Sequence, residues 1–259
     1  MGVIENRTGE KGPHRVFRKT GRPGKMFRCE ANGLHELAGA GAIRVAEVVE
    51  AGDDFIITGY IESHTPGGGF FADFGRQLAR MHRFTSAAFG FYEDNFIGEN
   101  PQPNIPEGRE ASDWSDFYWN KRLLFQYRMA ERNRYVSTAL QRSFVRLENQ
   151  IARLLEDSRE VPALLHGDLW AGNFLCNAEN QPVLIDPAVY YGHREAELAM
   201  TRLFGGFRPD FYRSYAQEYP LAEGWEYRQN LYVLYHVLNH LNLFGTGYLS
   251  QAEHLAASY

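Results

Sequence analysis

The chain has 259 residues, 44% of them hydrophobic and 23% charged, with 27 Lys+Arg against 32 Asp+Glu for a formal net charge of −5. That length buries a full core as one large or two modest domains, and the composition excludes collagen, a disordered tail and a disulfide scaffold. A net negative chain lacks the electrostatic footprint of a nucleic-acid binder, and its longest basic stripe, Arg142 to Arg146, reads as one solvated helix face.

Cys29 and Cys176 have no metal-ligand spacing around them, which fits a reduced, cytoplasmic setting. The polar start from Met1 to Arg15 is no signal peptide, Asn6 stands where a myristoylation signal wants Ser or Thr, and the sequon Asn6-Arg7-Thr8 reads as idle. No apolar run approaches the ~20 residues of a membrane span. Neither a nucleic-acid nor a membrane partner is expected.

Along the chain, Val16 to Lys19 alternates as a strand, and Phe27 to Leu37 has helical spacing. Two β-rich runs follow, Ile43 to Val49 and Phe55 to Tyr60, separated by the turn signal Ala51-Gly52-Asp53-Asp54. The breaker cluster Thr65-Pro66-Gly67-Gly68-Gly69 reads as an interlobe linker. Phe71, Phe74, Leu78 and Met81 then form one buried helix face, residues 98–112 read as an irregular loop, and Trp114 to about Arg134 resumes helix. Leu140, Phe144, Leu147, Ile151 and Leu154 make the clearest helical stripe. Short strand-like pieces lie within Leu164 to Cys176 and Val183 to Ile185, and the chain is helical from Glu195, with Leu231 to Phe244 longest. The pattern predicts an α+β fold with a small β-rich lobe over residues 1–63 and a larger helical lobe over 64–259.

The chemistry concentrates in Leu164-Leu165-His166-Gly167-Asp168-Leu169-Trp170-Ala171-Gly172-Asn173, followed by Val183-Leu184-Ile185-Asp186-Pro187. Asp168 and Asn173 have the Asp-x-x-x-x-Asn spacing of a kinase catalytic loop, and Asp186 follows an apolar strand where a kinase keeps its metal-binding Asp. Phosphoryl transfer needs this set: one carboxylate to orient the attacking hydroxyl and take its proton, and a second carboxylate with an amide oxygen to hold Mg²⁺ on the nucleotide phosphates. Lys19 at a strand end and Glu30 in a helix fit the order of a phosphate-binding lysine and its partner. Phe55 to Ile61 reads as the hinge strand, whose backbone at Gly59 and Ile61 would meet adenine.

The phrase from Leu165 to Asn173, with Ile185-Asp186-Pro187-Ala188 and Tyr190-Tyr191-Gly192-His193-Arg194-Glu195, resembles the fructosamine-3-kinase (ketosamine-3-kinase) family. Phe74 to His82, Asn95-Phe96-Ile97-Gly98 with Pro101-Gln102-Pro103-Asn104, Trp114 to Leu124, and the tail Leu234 to Gly245 are similar to it as well, so the resemblance runs from Val16 to the end. It implies a protein-kinase-like bilobal fold and ATP-dependent phosphorylation of the 3-hydroxyl of a ribulosamine or fructosamine, small or protein-bound. A phosphate beside the enolisable ketone then leaves readily and frees the amine, a deglycation. The resemblance implies Asp168 as base, Asn173 and Asp186 as Mg²⁺ ligands, and Lys19 and Glu30 as the phosphate lysine and its partner. His166 braces the loop, and Trp170, His193 and Arg194 are candidates for the ketosamine pocket.

Two departures stand out. The family carries two strands and a glycine-rich loop before the lysine strand. Here eighteen residues precede Lys19, and Gly9-Glu10-Lys11-Gly12 fits a hairpin turn better than a phosphate lid, so the lid and first strands are expected to be absent. Glu197-Leu198-Ala199 stands where the family usually has Asp-Leu-Ala. The alternatives are phosphotransfer to another amino alcohol such as an aminoglycoside, and a catalytically impaired kinase-like binding protein. Gly39-Ala40-Gly41 lacks the third glycine of a dinucleotide fingerprint, and Gly67-Gly68-Gly69 lacks the Lys-Ser/Thr ending of a P-loop. His236 and His240 read as packing histidines and Cys29 as a buried helical thiol.

Overall fold

The structure, a computed structural model, describes residues 2–9, 12–156 and 159–259. Strands β1 (Gly2–Gly9) and β2 (Gly12–Thr20) pair antiparallel with Gly9 opposite Gly12, as a hairpin there requires. The turn residues themselves, Glu10 and Lys11, lie outside the described residues. Helix α1 (Met26–Gly39) follows, then the two-residue β3 (Arg44–Val45), β4 (Val48–Ala51) and β5 (Phe55–Gly59). The first sheet runs β1-β2-β5-β4, so β2 is an interior strand. Cross-strand partners share a face: Phe17 opposite Thr58 and Lys19 opposite Ile56 put Phe17, Lys19, Ile56 and Thr58 on one side. Against that side α1 packs Phe27, Ala31 and Leu34, and this stripe carries Glu30 toward Lys19.

The run Ile43 to Val49 is not one strand. β3 leaves the first sheet and pairs parallel with β10 (Pro182–Leu184), which also pairs with β9 (Phe174–Cys176). The chain crosses between sheets where the Ala46 amide donates to the Leu184 carbonyl (3.0 Å) and the Gly59 amide to the Glu47 carbonyl (2.8 Å).

Beyond the first sheet, α2 (Phe70–Met81) buries Phe70, Phe74, Leu78 and Met81; Phe71 is only half-buried. Residues 98–112 are more ordered than a loop. β6 (Asn95–Ile97) and β7 (Asn100–Gln102) form a hairpin across Gly98 and Glu99, and Gly98 takes the left-handed φ of +59° that such a turn needs. A 3₁₀ turn closes the stretch at Gly108–Ala111. Helix α3 (Trp114–Tyr118) continues through a π turn at Trp119–Leu123 into α4 (Leu124–Arg132). The stripe from Leu140 to Leu154 is buried throughout, but it spans two helices, α5 (Thr138–Glu148) and α6 (Ile151–Glu156). Arg142 and Arg146 face solvent.

The short strand β8 (Ala163–Leu165) pairs with β11 (Tyr190–Gly192), and α7 (Arg194–Met200), α8 (Pro209–Glu218), α9 (Trp225–Phe244) and α10 (Leu249–Ala256) complete the helical region. A β carbon on Gly75 of α2 would stand 2.2 Å from the Phe211 carbonyl oxygen, so glycine permits the close approach of α2 to α8. Among the described residues no helix is long and apolar enough to cross a membrane. Cys29 and Cys176 are both buried free thiols; burial, with Glu93 alongside, pushes the Cys29 thiol up to about 11.

Candidate active site

The segment between β8 and β9 is held against Ile185, Ala188 and Glu197. Gly167 has φ +85°, and a β carbon there would lie 1.9 Å from the Ala188 carbonyl oxygen, so no side chain fits. The buried His166 donates from Nε2 to the Ile185 carbonyl (2.8 Å) and accepts the Asp168 amide at Nδ1 (3.3 Å). Those partners define a neutral ring, and burial keeps its pKa below the ordinary histidine value. His166 is therefore a brace.

Glu197 of α7 supplies the second support. One carboxylate oxygen accepts the Gly167 amide (2.8 Å) and the other accepts the His166 amide (3.2 Å) and meets His82 Nε2 (2.9 Å). Burial opposes the charge, yet the bonds from His82 and the loop amides outweigh it and lower the pKa. The longer glutamate thus reaches the loop as a carboxylate brace.

On this platform sit Asp168 and Asn173. The Asn173 side-chain amide donates to the Asp168 carbonyl (2.7 Å) and to its carboxylate (3.1 Å), which leaves the amide oxygen of Asn173 free to face a cation. Burial, against the Asn173 bond and with Asp186 and Glu197 nearby, pushes the Asp168 carboxyl up to about 7. Asp186 follows β10 with a left-handed φ of +54°, a strain of the kind that collects at functional sites. Its carboxylate accepts from Lys19 Nζ at 2.9 Å, and Lys19 also donates to both oxygens of Glu30 at 2.8 and 2.9 Å. Burial works against the Lys19 charge, but Glu30 and Asp186 overcome it and raise the pKa.

Two cavities meet at this ion triad. The first, about 560 Å³, lies under the first sheet between Phe17, Ala46, Leu175 and Ile185 and opens onto Gly59, Tyr60 and Ile61 at the end of β5. The second, about 360 Å³, holds Asp168, Asn173 and Trp170. Lys19, Phe27, Glu30 and Asp186 line both. The arrangement offers an apolar slot that ends at the backbone of Gly59 to Ile61, a cation and carboxylates at the junction, and a carboxylate facing a smaller polar hollow.

His193 and Arg194 are not in either cavity, contrary to expectation. Each is about 1% exposed. His193 caps α7, its Nδ1 accepting the Glu195 amide (3.2 Å), and its ring stacks on Tyr232. Arg194 is spent in the interior: two bonds to Glu160 at 2.6 Å each, and bonds to the carbonyls of Tyr219 (2.8 Å) and Pro220 (2.6 Å). The wall of the second cavity comes instead from Glu99 and from Asn239, His240, Leu243 and Phe244 of α9. His236 is buried, while His240 is half-buried and donates from Nδ1 to the His236 carbonyl (2.7 Å), so the pair shares no ligand position. The tail Leu-Asn-His-Leu-Asn carried the signal for this wall, since it contains Asn239 and His240. Gly39 ends α1 and Gly41 follows it, so neither opens a helix, and Gly67 to Gly69 precede α2.

The fructosamine kinase family model matches residues 3–259. The chain belongs to the fructosamine kinase family. Within that family it is 42% identical over 241 residues to the chloroplastic protein-ribulosamine 3-kinase of Arabidopsis thaliana, covering 90% of this chain and 72% of that one. It is 37% identical over 238 residues to the probable ketoamine kinase of Enterococcus faecium, covering 90% and 83%. A Thermobifida fusca crystal structure assigned to the fructosamine-3-kinases superposes with a TM-score of 0.88 at 31% identity, over 99% of this chain and 92% of that one. An ADP-bound aminoglycoside phosphotransferase, at 13% identity and TM-score 0.60, shares the kinase-like fold alone.

Proposed function

We propose that this fructosamine kinase family member transfers the γ-phosphoryl group of ATP to the 3-hydroxyl of a ketosamine, free or protein-bound, in the cytoplasm. The observation that carries the reading is the meeting of two cavities at Lys19, Glu30 and Asp186, with Asp168 on the smaller side. The sheet-bearing residues 1–63 serve as the nucleotide lobe and residues 64–259 as the catalytic lobe. Adenine lies in the apolar slot against the backbone at Gly59 and Ile61, and Lys19, oriented by Glu30, holds the phosphates at the junction.

The donors suit Mg²⁺. The free amide oxygen of Asn173 and the Asp186 carboxylate are hard oxygens, and among the described residues no cluster of three His, Cys, Asp or Glu could hold a cation unaided. A Mg²⁺ shared between these two side chains and the phosphates would offset the charge of the transferring group. Asp168 accepts the proton of the sugar 3-hydroxyl as its oxygen bonds to the γ-phosphorus, and the bond from that phosphorus to the bridging oxygen breaks to leave ADP. A carboxyl poised near 7 suits this work better than one at 4. Trp170, 37% exposed and in T-shaped contact with Phe204 at 5.7 Å, offers an apolar surface to the sugar ring. The phosphorylated ketosamine then eliminates phosphate and releases its amine.

An acceptor panel tests the assignment. ADP release should be fast with a ribulosamine or fructosamine and at background with kanamycin or gentamicin; the reverse ranking would assign the chain to antibiotic phosphotransfer.

A further inference from the structure

A ketosamine differs from a neutral ketose by a basic amine, and the acceptor cavity contains an acidic residue with no other task. We infer that Glu99 is the counter-charge for that protonated amine and selects cationic ketosamines over neutral sugars. This deepens, and rests on, the reaction proposed above.

Glu99 is the second residue of the two-residue turn joining β6 and β7, and it lines the acceptor cavity. The turn is fixed in place on both sides of it. The Asn100 side chain donates to Asn239 Oδ1 (2.8 Å) and to its carbonyl (3.3 Å), and Gly98 packs so closely on α9 that a β carbon would stand 2.9 Å from Leu243 Cδ1. Deeper in the hairpin, Gln102 and Asn104 each donate to Asn95 Oδ1 at 2.8 Å, and Asn95 donates to the Val189 carbonyl at 2.8 Å. The backbone that carries Glu99 is thus held in place, and its exposed side chain has no hydrogen bond or ion pair among the described residues.

Charge accounting in the cavity leaves Glu99 over. Among the described residues Lys19 is the sole Lys or Arg in the lining, and Glu30 and Asp186 already neutralise it. Asp168 faces the reacting hydroxyl. The amine of a ketosamine lies three bonds from the carbon bearing that hydroxyl, so it stays within the same cavity. Phe244 of α9 also lines the cavity and is 67% exposed, a second surface favourable to an ammonium group. A charge-assisted contact of this kind acts on ground-state binding, so its loss falls on KM rather than kcat.

The test compares steady-state kinetics of wild type, Glu99→Gln, Glu99→Asp and Glu99→Lys with two acceptors: a lysine-derived ribulosamine, and the same compound with its amine acetylated to a neutral amide. Wild type should prefer the charged acceptor. Glu99→Gln should raise KM for it about 5- to 20-fold, with kcat within about twofold, and remove the preference over the amide. Glu99→Asp should recover most of the preference, Glu99→Lys should invert it, and added salt should raise KM for the charged acceptor in wild type and Glu99→Asp but not in Glu99→Gln. A Glu99→Gln enzyme that keeps the wild-type KM ratio overturns the inference and leaves the reaction standing. A wild-type enzyme that phosphorylates neither acceptor overturns the reaction, and the inference with it.

Discussion

Lys19 and Asp186 are 167 positions apart in the chain, and Nζ of the one lies 2.9 Å from Oδ1 of the other. The contact ties the interior strand of the first sheet to the segment after β10, and Glu30 completes it from α1. Removing the lysine leaves two carboxylates facing each other across the junction of both cavities, with nothing to receive the nucleotide phosphates. Lys19→Met should therefore raise KM for ATP at least about tenfold and lower kcat/KM by roughly 10²- to 10³-fold. Glu30→Gln, which leaves the Lys19–Asp186 pair, should cost less on both counts. Steady-state kinetics with varied ATP separates the two.

Asp168 gives a pH signature. Its carboxyl in the free protein titrates at about 7, and the reaction needs it unprotonated, so kcat/KM should climb with pH through that region. Stability should move the other way. A folded value above the unfolded one means the native state holds the proton more tightly, so the associated stability is full below the ordinary aspartate range and is lost as pH rises through about 7. Asp168→Asn should therefore lower kcat by roughly 10²- to 10⁴-fold and, at pH 8, stabilise the fold by about 1–3 kcal/mol. Thermal melts at pH 5 and pH 8 read the second effect, which should be larger at the higher pH.

Glu197 should behave in the opposite sense. Its lowered pKa means that its contribution is present above the ordinary glutamate range and is lost as pH falls through the folded value. Glu197→Ala strands the His166 and Gly167 amides and the buried His82 ring, and should cost about 3–5 kcal/mol. Glu197→Gln, which keeps an oxygen for one amide, should cost less, and the gap between it and wild type should narrow in acid. Denaturant titrations at pH 7 and at pH 4 measure both.

Trp170 is exposed enough to be removed without harm to the core. Trp170→Ala should raise KM for the ketosamine roughly tenfold while KM for ATP stays within about twofold. Equal losses toward both substrates would place the ring in the support of the catalytic loop, over Gly172, rather than on the sugar.

The groups that meet at the cavity junction were readable because Asp168, Asn173 and Asp186 lie in two short stretches, each bounded by apolar strands, and because Lys19 and Glu30 stand upstream in the order of a phosphate-binding lysine and its helical partner. Partner choice was not readable. Whether β3 joins the first sheet or β10 depends on a strand about 140 residues later. The hairpin at Asn95–Gln102 has strands of three residues in a stretch whose Pro and Asn speak for a loop. His193 and Arg194 misled because charge suggests exposure, while the partner that lets Arg194 be buried, Glu160, stands 34 residues earlier with no pattern linking them. The wall of the second cavity was hidden for a related reason: Glu99 and Phe244 line it together although they stand far apart in the chain, and the bond between Asn100 and Asn239 helps hold their segments in place.

The most direct measurement is the position of the transferred phosphate. The full chain is incubated with ATP, Mg²⁺ and a ribulosamine, and the product is examined by phosphorus–proton correlation NMR, with Asp168→Asn alongside. The account predicts one phosphate on carbon 3 for each ADP formed, and none above background with the variant. Phosphate on another hydroxyl, or undiminished transfer by Asp168→Asn, would contradict it.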